Sequence, residues 1–241
     1  DLWAGRAEVE AGLARWDQAA ADYSKAIERK GDRPELWIGR GRAEAERGDW
    51  TKAAADFAKA IHLGNADGSI WEEHALTLLA SGNEANYRRL CARLVQRFGS
   101  SNDETMARSI AWTCALTSGA VRDLKPLIQR AEYGVKANPQ SADDLRRLAV
   151  LLYRDGQFNA ALTRLQEITR LTEPKAEARD FLLMAMTAQR LDHVEEARKW
   201  LDKAEEVGQE KARGAASPWH ERLAYQILHR EAETLVKGTK R

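Results

Sequence analysis

The amino-acid sequence predicts an all-α fold in which helical hairpins stack one after another as an α-solenoid. Trp3, Trp37 and Trp71 follow one another at a fixed step of 34 residues, and a constant step of this size indicates repeated supersecondary units. Only five prolines occur in 241 residues, so helices can run without interruption. Alanines and aromatic residues recur at the same step, as the packing of one hairpin on the next requires.

The first two hairpins show the repeat most clearly. Four further pairs of residues stand 34 positions apart: Trp16 and Trp50, Ala19 and Ala53, Tyr23 and Phe57, Ala26 and Ala60. We expect the aromatic residues to fill the gap to the next hairpin. Small side chains are expected wherever the first helix of a hairpin (helix A) closely crosses the second (helix B), at Ala7, Gly41 and Ala75.

Glycine and proline predict where these helices begin and end. Gly48-Asp49 and Gly82-Asn83 are expected to break the chain between helix A and helix B. Pro34 is expected in the first turn of the second helix A, where its missing N–H leaves no hydrogen bond unmade.

The segments WAGRAEVEAGLARWDQAAADYSKAI and WIGRGRAEAERGDWTKAAADFAKAI agree in register at all of these positions. They resemble the tetratricopeptide (TPR) repeat. The resemblance implies a right-handed α-solenoid whose concave wall is made by the A helices and whose function is to bind a protein or peptide partner.

The register divides the chain into six hairpins and a C-terminal capping helix. The predicted hairpins cover residues 1–33, 34–67, 68–101, 102–140, 141–174 and 175–208, and the capping helix covers 217–236. The third and fourth hairpins are degenerate, because Tyr87 and Leu127 replace the small residue expected in helix B. We expect the array to form one domain, and we expect a fragment of a longer protein because Asp1 falls inside a repeat.

Residues 70 to 236 show a narrower resemblance, carried by the stretches AWTCALTSGAVRD, LAVLLYRDGQFNAAL and FLLMAMTAQRLDHVEEARKWLDKA. They are similar to the TPR tails of large multidomain proteins of planctomycete-type bacteria, which often follow a Ser/Thr kinase or a WD40 propeller. This resemblance leaves a second function open, namely regulation or targeting of an enzyme domain in the same chain.

Composition and motifs argue against several other classes of protein. A formal net charge of +1 gives no overall attraction to nucleic acid or to an anionic membrane. Cys91 and Cys114 lack metal-ligand spacing and lie in apolar surroundings, which favours buried thiols and a cytoplasmic location. Neither HExxH nor GxSxG occurs, and Gly39-Arg40-Gly41 lacks the third glycine of a dinucleotide-binding loop. We therefore expect no enzyme activity, cofactor or metal in this chain.

The TPR resemblance assigns ten candidate contact residues to the concave groove: Arg42, Glu46, Glu72, Trp112, Arg146, Tyr153, Arg154, Arg179, Met186 and Arg190. The early A helices contribute mostly acidic residues and the late ones mostly basic residues, which predicts a polarised groove. Trp112, Tyr153 and Met186 are its expected apolar anchors. The alternative is that these arginines are simply solvated residues of helices.

RNA binding is a further alternative, based on the arginine-rich helix B of the third hairpin. Its basic residues are Arg88, Arg89, Arg93 and Arg97. The nearly neutral total charge counts against it.

Overall fold

A computed structural model describes residues 2–64, 67–99, 104–172, 176–213 and 217–238, and within these ranges every regular element is an α-helix. The helices are α1 (Leu2–Gly12), α2 (Trp16–Lys30), α3 (Pro34–Glu46), α4 (Trp50–His62), α5 (Gly68–Ala80), α6 (Glu84–Phe98), α7 (Glu104–Ala115), α8 (Lys125–Ala137), α9 (Ala142–Arg154), α10 (Phe158–Thr172), α11 (Ala178–Arg190), α12 (Val194–Arg213) and α13 (Trp219–Lys237).

The chain divides into two compact units, Asp1–Leu90 and Cys91–Arg241, where the sequence predicts a single domain. Helices α1 to α5 belong to the first unit and α7 to α13 to the second. The hairpin boundaries predicted at residues 101 and 174 lie outside the described residues.

Helices of the first unit pair as the repeat predicts. Within hairpins α1 packs on α2 and α3 on α4, and between hairpins α2 packs on α3 and α4 on α5. Ala7, Ala19, Ala53 and Ala60 have no solvent exposure. A side chain at Gly41 would meet the Phe57 ring at 3.1 Å, which confirms that helices α3 and α4 cross closely there.

The turn between helix A and helix B is the same in five hairpins. The second residue after the end of helix A has a positive φ in each case, at Ala14, Gly48, Gly82, Gly156 and Asp192. In the second hairpin the N–H of Asp49 donates to the carbonyl of Glu44, and that of Gly48 donates to the carbonyl of Ala45. These two bonds form a Schellman motif, which satisfies carbonyls at the end of a helix. Ala14 and Asp192 adopt this conformation without being glycine.

The fourth hairpin packs less regularly than those of the first unit. Helices α7 and α8 touch only lightly, and α7 packs more broadly against α9. The bulky Leu127 is buried at the position where a regular helix B carries a small residue, so the close crossing seen in the first unit has no counterpart here.

The last two helices differ from the predicted end of the array. Helix α12 continues to Arg213, past residue 208 where the sixth hairpin is predicted to end. Helix α13 packs more broadly on α11 than on α12. In the first unit the corresponding contact, between successive A helices α1 and α3, is slight. Helix α13 therefore covers an A helix.

Replacing Ala14 with glycine should stabilise the protein by about 0.5–1 kcal/mol, because glycine adopts a positive φ without a steric penalty. The matched change Gly48→Ala should lower the free energy of unfolding by about 1 kcal/mol at the equivalent turn. Urea unfolding of both variants measures the difference. If both substitutions changed the free energy of unfolding in the same direction, the two hairpins would not share one turn geometry.

Candidate protein-binding surface

Arg42 joins two successive A helices of the first unit. Its guanidinium, on α3, donates to both carboxylate oxygens of Glu73, on α5, with N–O distances of 2.7, 2.9 and 3.2 Å. The Arg42 side chain is still 48% exposed. Glu46 and Glu72 are half-buried on the same two helices. The three first-unit residues predicted by the sequence are thus all accessible.

Tyr23 of α2 reaches the same surface between α1 and α3. Its ring lies against Gly39, where a Cβ would come within 2.3 Å of the ring. Burial raises the pKa of the Tyr23 hydroxyl, Glu8 adds to the rise, and Arg42 opposes it. Glu8 and Arg42, which occupy equivalent positions in successive repeats, therefore both act on the Tyr23 hydroxyl. Sequence reasoning identified Tyr23 only as a packing residue.

We call the surface carried by Glu8, Arg42, Glu46, Glu72 and Glu73 the first-unit A-helix face. It holds four carboxylates and one guanidinium, so it is acidic. Carboxylates accept hydrogen bonds from ammonium and guanidinium groups more strongly than neutral acceptors do. These carboxylates are therefore candidate acceptors for basic side chains of a partner.

Arg146 of α9 is buried instead of lining an open groove. Its side chain is 5% exposed. Its guanidinium binds Asp180 of α11 at 2.5 and 2.9 Å and Asp143 at 2.6 Å. Burial alone would lower the pKa of Arg146, but the hydrogen bonds and charge of Asp180 raise it above its usual value. The prediction that Arg146 contacts a partner is wrong for this conformation, because the residue ties α9 to α11.

Arg154, at the end of α9, also makes its contacts within the protein. Its side chain is 2% exposed and forms an ion pair with Glu231 of α13. It also donates to the carbonyls of Ala115, at 2.7 Å, and Leu116, at 3.0 Å. Because these carbonyls end α7, Arg154 caps that helix. It joins α7, α9 and α13 and is not free for a partner, contrary to the sequence prediction.

The three predicted apolar anchors are buried as well. Trp112, Tyr153 and Met186 are 9%, 5% and 0% exposed, so none offers a surface that a partner could cover. Helix α11 is enclosed because α10, α12 and α13 all pack against it. Burial raises the pKa of the Tyr153 hydroxyl, Glu231 adds to the rise, and Arg190 opposes it.

Two predicted residues of the second unit remain accessible. Arg179 is 35% exposed; it pairs with Glu177 at 2.8 Å, and its guanidinium carbon lies 5.4 Å from the centre of the Trp112 ring. Arg190 is exposed at the end of α11. The polarised groove predicted by the sequence thus loses two of its four second-unit arginines, Arg146 and Arg154, to intramolecular contacts.

A charged cluster that sequence reasoning missed recurs at the 34-residue step. Arg6 binds both carboxylate oxygens of Asp22 at 2.5 Å, and Arg40 binds those of Asp56 at 2.7 and 2.8 Å. Each guanidinium also lies over a tryptophan ring, Trp3 at 4.6 Å and Trp37 at 4.9 Å. The sequence does contain this pattern, because the tryptophan, the arginine and the aspartate of the cluster each recur 34 residues later. The clusters join helix A to helix B within a hairpin.

The arginine-rich helix α6 shows partly neutralised charge. Arg88 pairs with Glu84 at 2.7 Å, and Arg89 donates to Asn86 at 3.0 Å. The guanidinium of Arg97 lies over the Phe98 ring at 5.0 Å. Because the charge of Arg88 is already paired, α6 carries a weaker basic field than its sequence predicts.

Cys91 and Cys114 are buried free thiols in the second unit, as predicted. The hydrogen bond with Cys91 and burial both raise the pKa of the Cys114 thiol well above its usual value. Within the residues described, no group of three or more metal-ligating side chains is present. No helix in these same ranges combines the length and apolar character needed to span a membrane.

Comparison with solved structures identifies the fold. A TPR protein from Parabacteroides merdae superimposes with a TM-score of 0.61 at 13% identity, covering 94% of this chain and 83% of that one. PilW, a type IV pilus biogenesis factor, gives 0.56 at 15% identity, with 92% and 96% covered. YrrB, a TPR protein with an unusual peptide-binding site, gives 0.52 at 17% identity, with 71% and 86% covered.

No protein-family model and no curated protein matches the chain. The structural likeness therefore establishes the fold, an all-α solenoid of the TPR type. It does not bear on the kinase or propeller context that the narrower resemblance implies.

Replacing Arg154 with methionine should lower the free energy of unfolding by about 3–5 kcal/mol, because Glu231 loses the partner of a largely buried ion pair. Two carbonyls of α7 also lose their donor. Amide hydrogen exchange in α13 should accelerate. The control is Arg198→Met, which breaks an exposed pair with Glu195 and should change stability by no more than about 0.5 kcal/mol. Unchanged protection of α13 in Arg154→Met would contradict this role.

Proposed function

We propose that this chain is a protein-interaction scaffold that binds a basic peptide segment on the first-unit A-helix face. The observation that supports this choice is a contrast between the units. The first-unit face keeps Glu8 and Arg42 exposed. In the second unit the corresponding helix α11 is covered by α13.

The charges of the face define the partner that would fit it. Glu8 and Glu46 offer carboxylates, and Arg42 already holds Glu73 at hydrogen-bonding distance. A lysine- or arginine-rich segment would bind the carboxylates directly, while Arg42 would repel a misaligned cation and so help to fix the register. Charge complementarity of this kind increases the association rate and the specificity more than the affinity.

A second candidate is the intramolecular role that the sequence leaves open. It is favoured by the contact between Arg154 of α9 and Glu231 of α13, in which a segment of the chain itself lies against A helices. Under this proposal the array holds other segments or domains of its own chain.

Selection of a random phage-displayed peptide library on the immobilised chain should enrich lysine- and arginine-rich sequences. A synthetic peptide with a selected sequence should bind the variant Glu8→Lys/Glu46→Lys at least about ten-fold more weakly, because two attractive charges become repulsive. Fluorescence anisotropy at low and moderate salt measures the dissociation constant.

The matched control is Glu28→Lys/Asp32→Lys, which reverses two exposed charges elsewhere in the first unit. It should bind the peptide within about two-fold of the wild type, because exposed charges away from the contact are screened by salt. Equal loss in both variants, or selected peptides without a basic bias, would refute the assignment of this face.

A further inference from the structure

Tyr23 carries a hydroxyl that the packing of the repeat does not require. The equivalent ring one repeat later belongs to Phe57, which has no solvent exposure, so a phenyl ring satisfies the apolar contacts at this position. Within the described part of the chain the Tyr23 hydroxyl makes no hydrogen bond, and its oxygen is not enclosed by other atoms. A largely buried tyrosine usually has a hydrogen-bond partner for its hydroxyl. The Tyr23 hydroxyl is therefore open to a group of a bound partner.

The Tyr23 hydroxyl lies over α3, on the side of that helix that carries Arg42. A Cβ built on Gly39 would come within 2.7 Å of the hydroxyl oxygen, so this oxygen occupies the place that a side chain at position 39 would take. Side chains three residues apart on a helix are neighbours, with Cβ atoms about 5–6 Å apart. Positions 39 and 42 of α3 are related in this way. The hydroxyl and the Arg42 side chain therefore share one face of α3.

Arg42 also keeps donors that its ion pair does not use. Its hydrogen bonds with Glu73 involve Nε and Nη2 only. Nη1 donates to no group that the structure describes, and the Arg42 side chain is 48% exposed. A guanidinium carries five N–H donors, two of them on Nη1. Tyr23 and Arg42 thus both offer unused donors on the first-unit A-helix face.

The charges around these donors decide which acceptor fits them. Burial and the nearby carboxylate of Glu8 raise the pKa of the Tyr23 hydroxyl, so the hydroxyl stays protonated and is a donor at neutral pH. Glu73 already balances the charge of Arg42, and the other carboxylates of the face repel an incoming carboxylate or phosphate. A neutral amide carbonyl meets no such repulsion, and its two lone pairs can accept from both donors.

We infer that the Tyr23 hydroxyl and Nη1 of Arg42 bind a main-chain carbonyl of the basic peptide segment. The inference rests on the proposed function and adds a second kind of contact to it. Basic side chains on either side of the bound carbonyl would pair with Glu8 and Glu46. Main-chain hydrogen bonds contribute affinity to a bound extended peptide, whereas side-chain contacts contribute specificity. The hydroxyl should therefore act on every basic sequence that the face accepts.

The test removes the hydroxyl and keeps the ring. Tyr23→Phe, in the full chain, should bind each of the basic peptides selected on the wild type about five-fold more weakly, because a neutral hydrogen bond contributes a factor of this order. Fluorescence anisotropy should give the same fold-change at low and moderate salt, since salt screens charges and not a neutral hydroxyl. The matched control Tyr133→Phe, at a tyrosine of α8 that is 68% exposed, should bind like the wild type.

A thioamide scan of one selected peptide identifies the bound carbonyl. Sulfur is a weaker hydrogen-bond acceptor than oxygen, so a thioamide at the contacted position should weaken binding to the wild type. The same peptide should lose less affinity for Tyr23→Phe, which lacks one of the two donors. A double-mutant cycle of protein and peptide measures this coupling. Thioamides at other positions should show no coupling to Tyr23.

Wild-type affinity in Tyr23→Phe, together with loss in Glu8→Lys/Glu46→Lys, would overturn this inference and leave the proposed function standing. So would a loss in Tyr23→Phe that disappears as salt is added. Weaker binding by Tyr23→Phe of selected peptides without a basic bias would refute the basic partner and support the carbonyl contact. If selection yields no binding peptide, both are overturned. Should Tyr23→Phe fail to fold, a thioamide scan on the wild type without a sensitive position would still refute the contact.

Discussion

The close crossing of two helices at residues without large side chains is the constraint on which this structure depends. Ala7 on α1 and Ala19 on α2 are fully buried, and Gly41 faces the Phe57 ring at contact distance. A pair of helices that approach this closely still leaves apolar surface uncovered, so each hairpin needs the next. This packing requirement explains why small and aromatic residues recur every 34 positions in the sequence. At Leu127 the small residue of helix B is missing. Helix α7 there packs only lightly on α8 and more broadly on α9.

The burial of the arginines that join successive A helices distinguishes the two units. In the first, Arg6 and Arg40 each bind an aspartate of their own hairpin, and Arg42, which reaches the next A helix, stays 48% exposed. In the second, Arg146 reaches the next A helix, and Arg154 reaches α13. Buried ion pairs are poor sources of net stability, but removing one partner is costly. These arginines therefore fix which helices are neighbours, while alanine and leucine supply the apolar burial.

The helices and their turns could be predicted from the sequence because they depend on local patterns. Gly48 and Gly82 mark turns, and Pro34 marks a helix start, for reasons that hold within a few residues. The burial of Arg146 and Arg154 in ion pairs could not be predicted in the same way. Their partners, Asp180 and Glu231, stand 34 and 77 residues away, and the pattern of a helix alone does not tell whether an arginine on it meets water or a carboxylate.

The covering of α11 by α13 limits how such an array can lengthen. In the first unit the helix that follows a hairpin packs mainly on its helix B, whereas α13 packs mainly on α11. A hairpin inserted by duplication directly after α12 would lie on α12 and would increase the length of chain between α11 and α13. The ion pair of Glu231 with Arg154 would then have to form across the inserted hairpin, so a duplication at this point would weaken the contact that holds α13 in place.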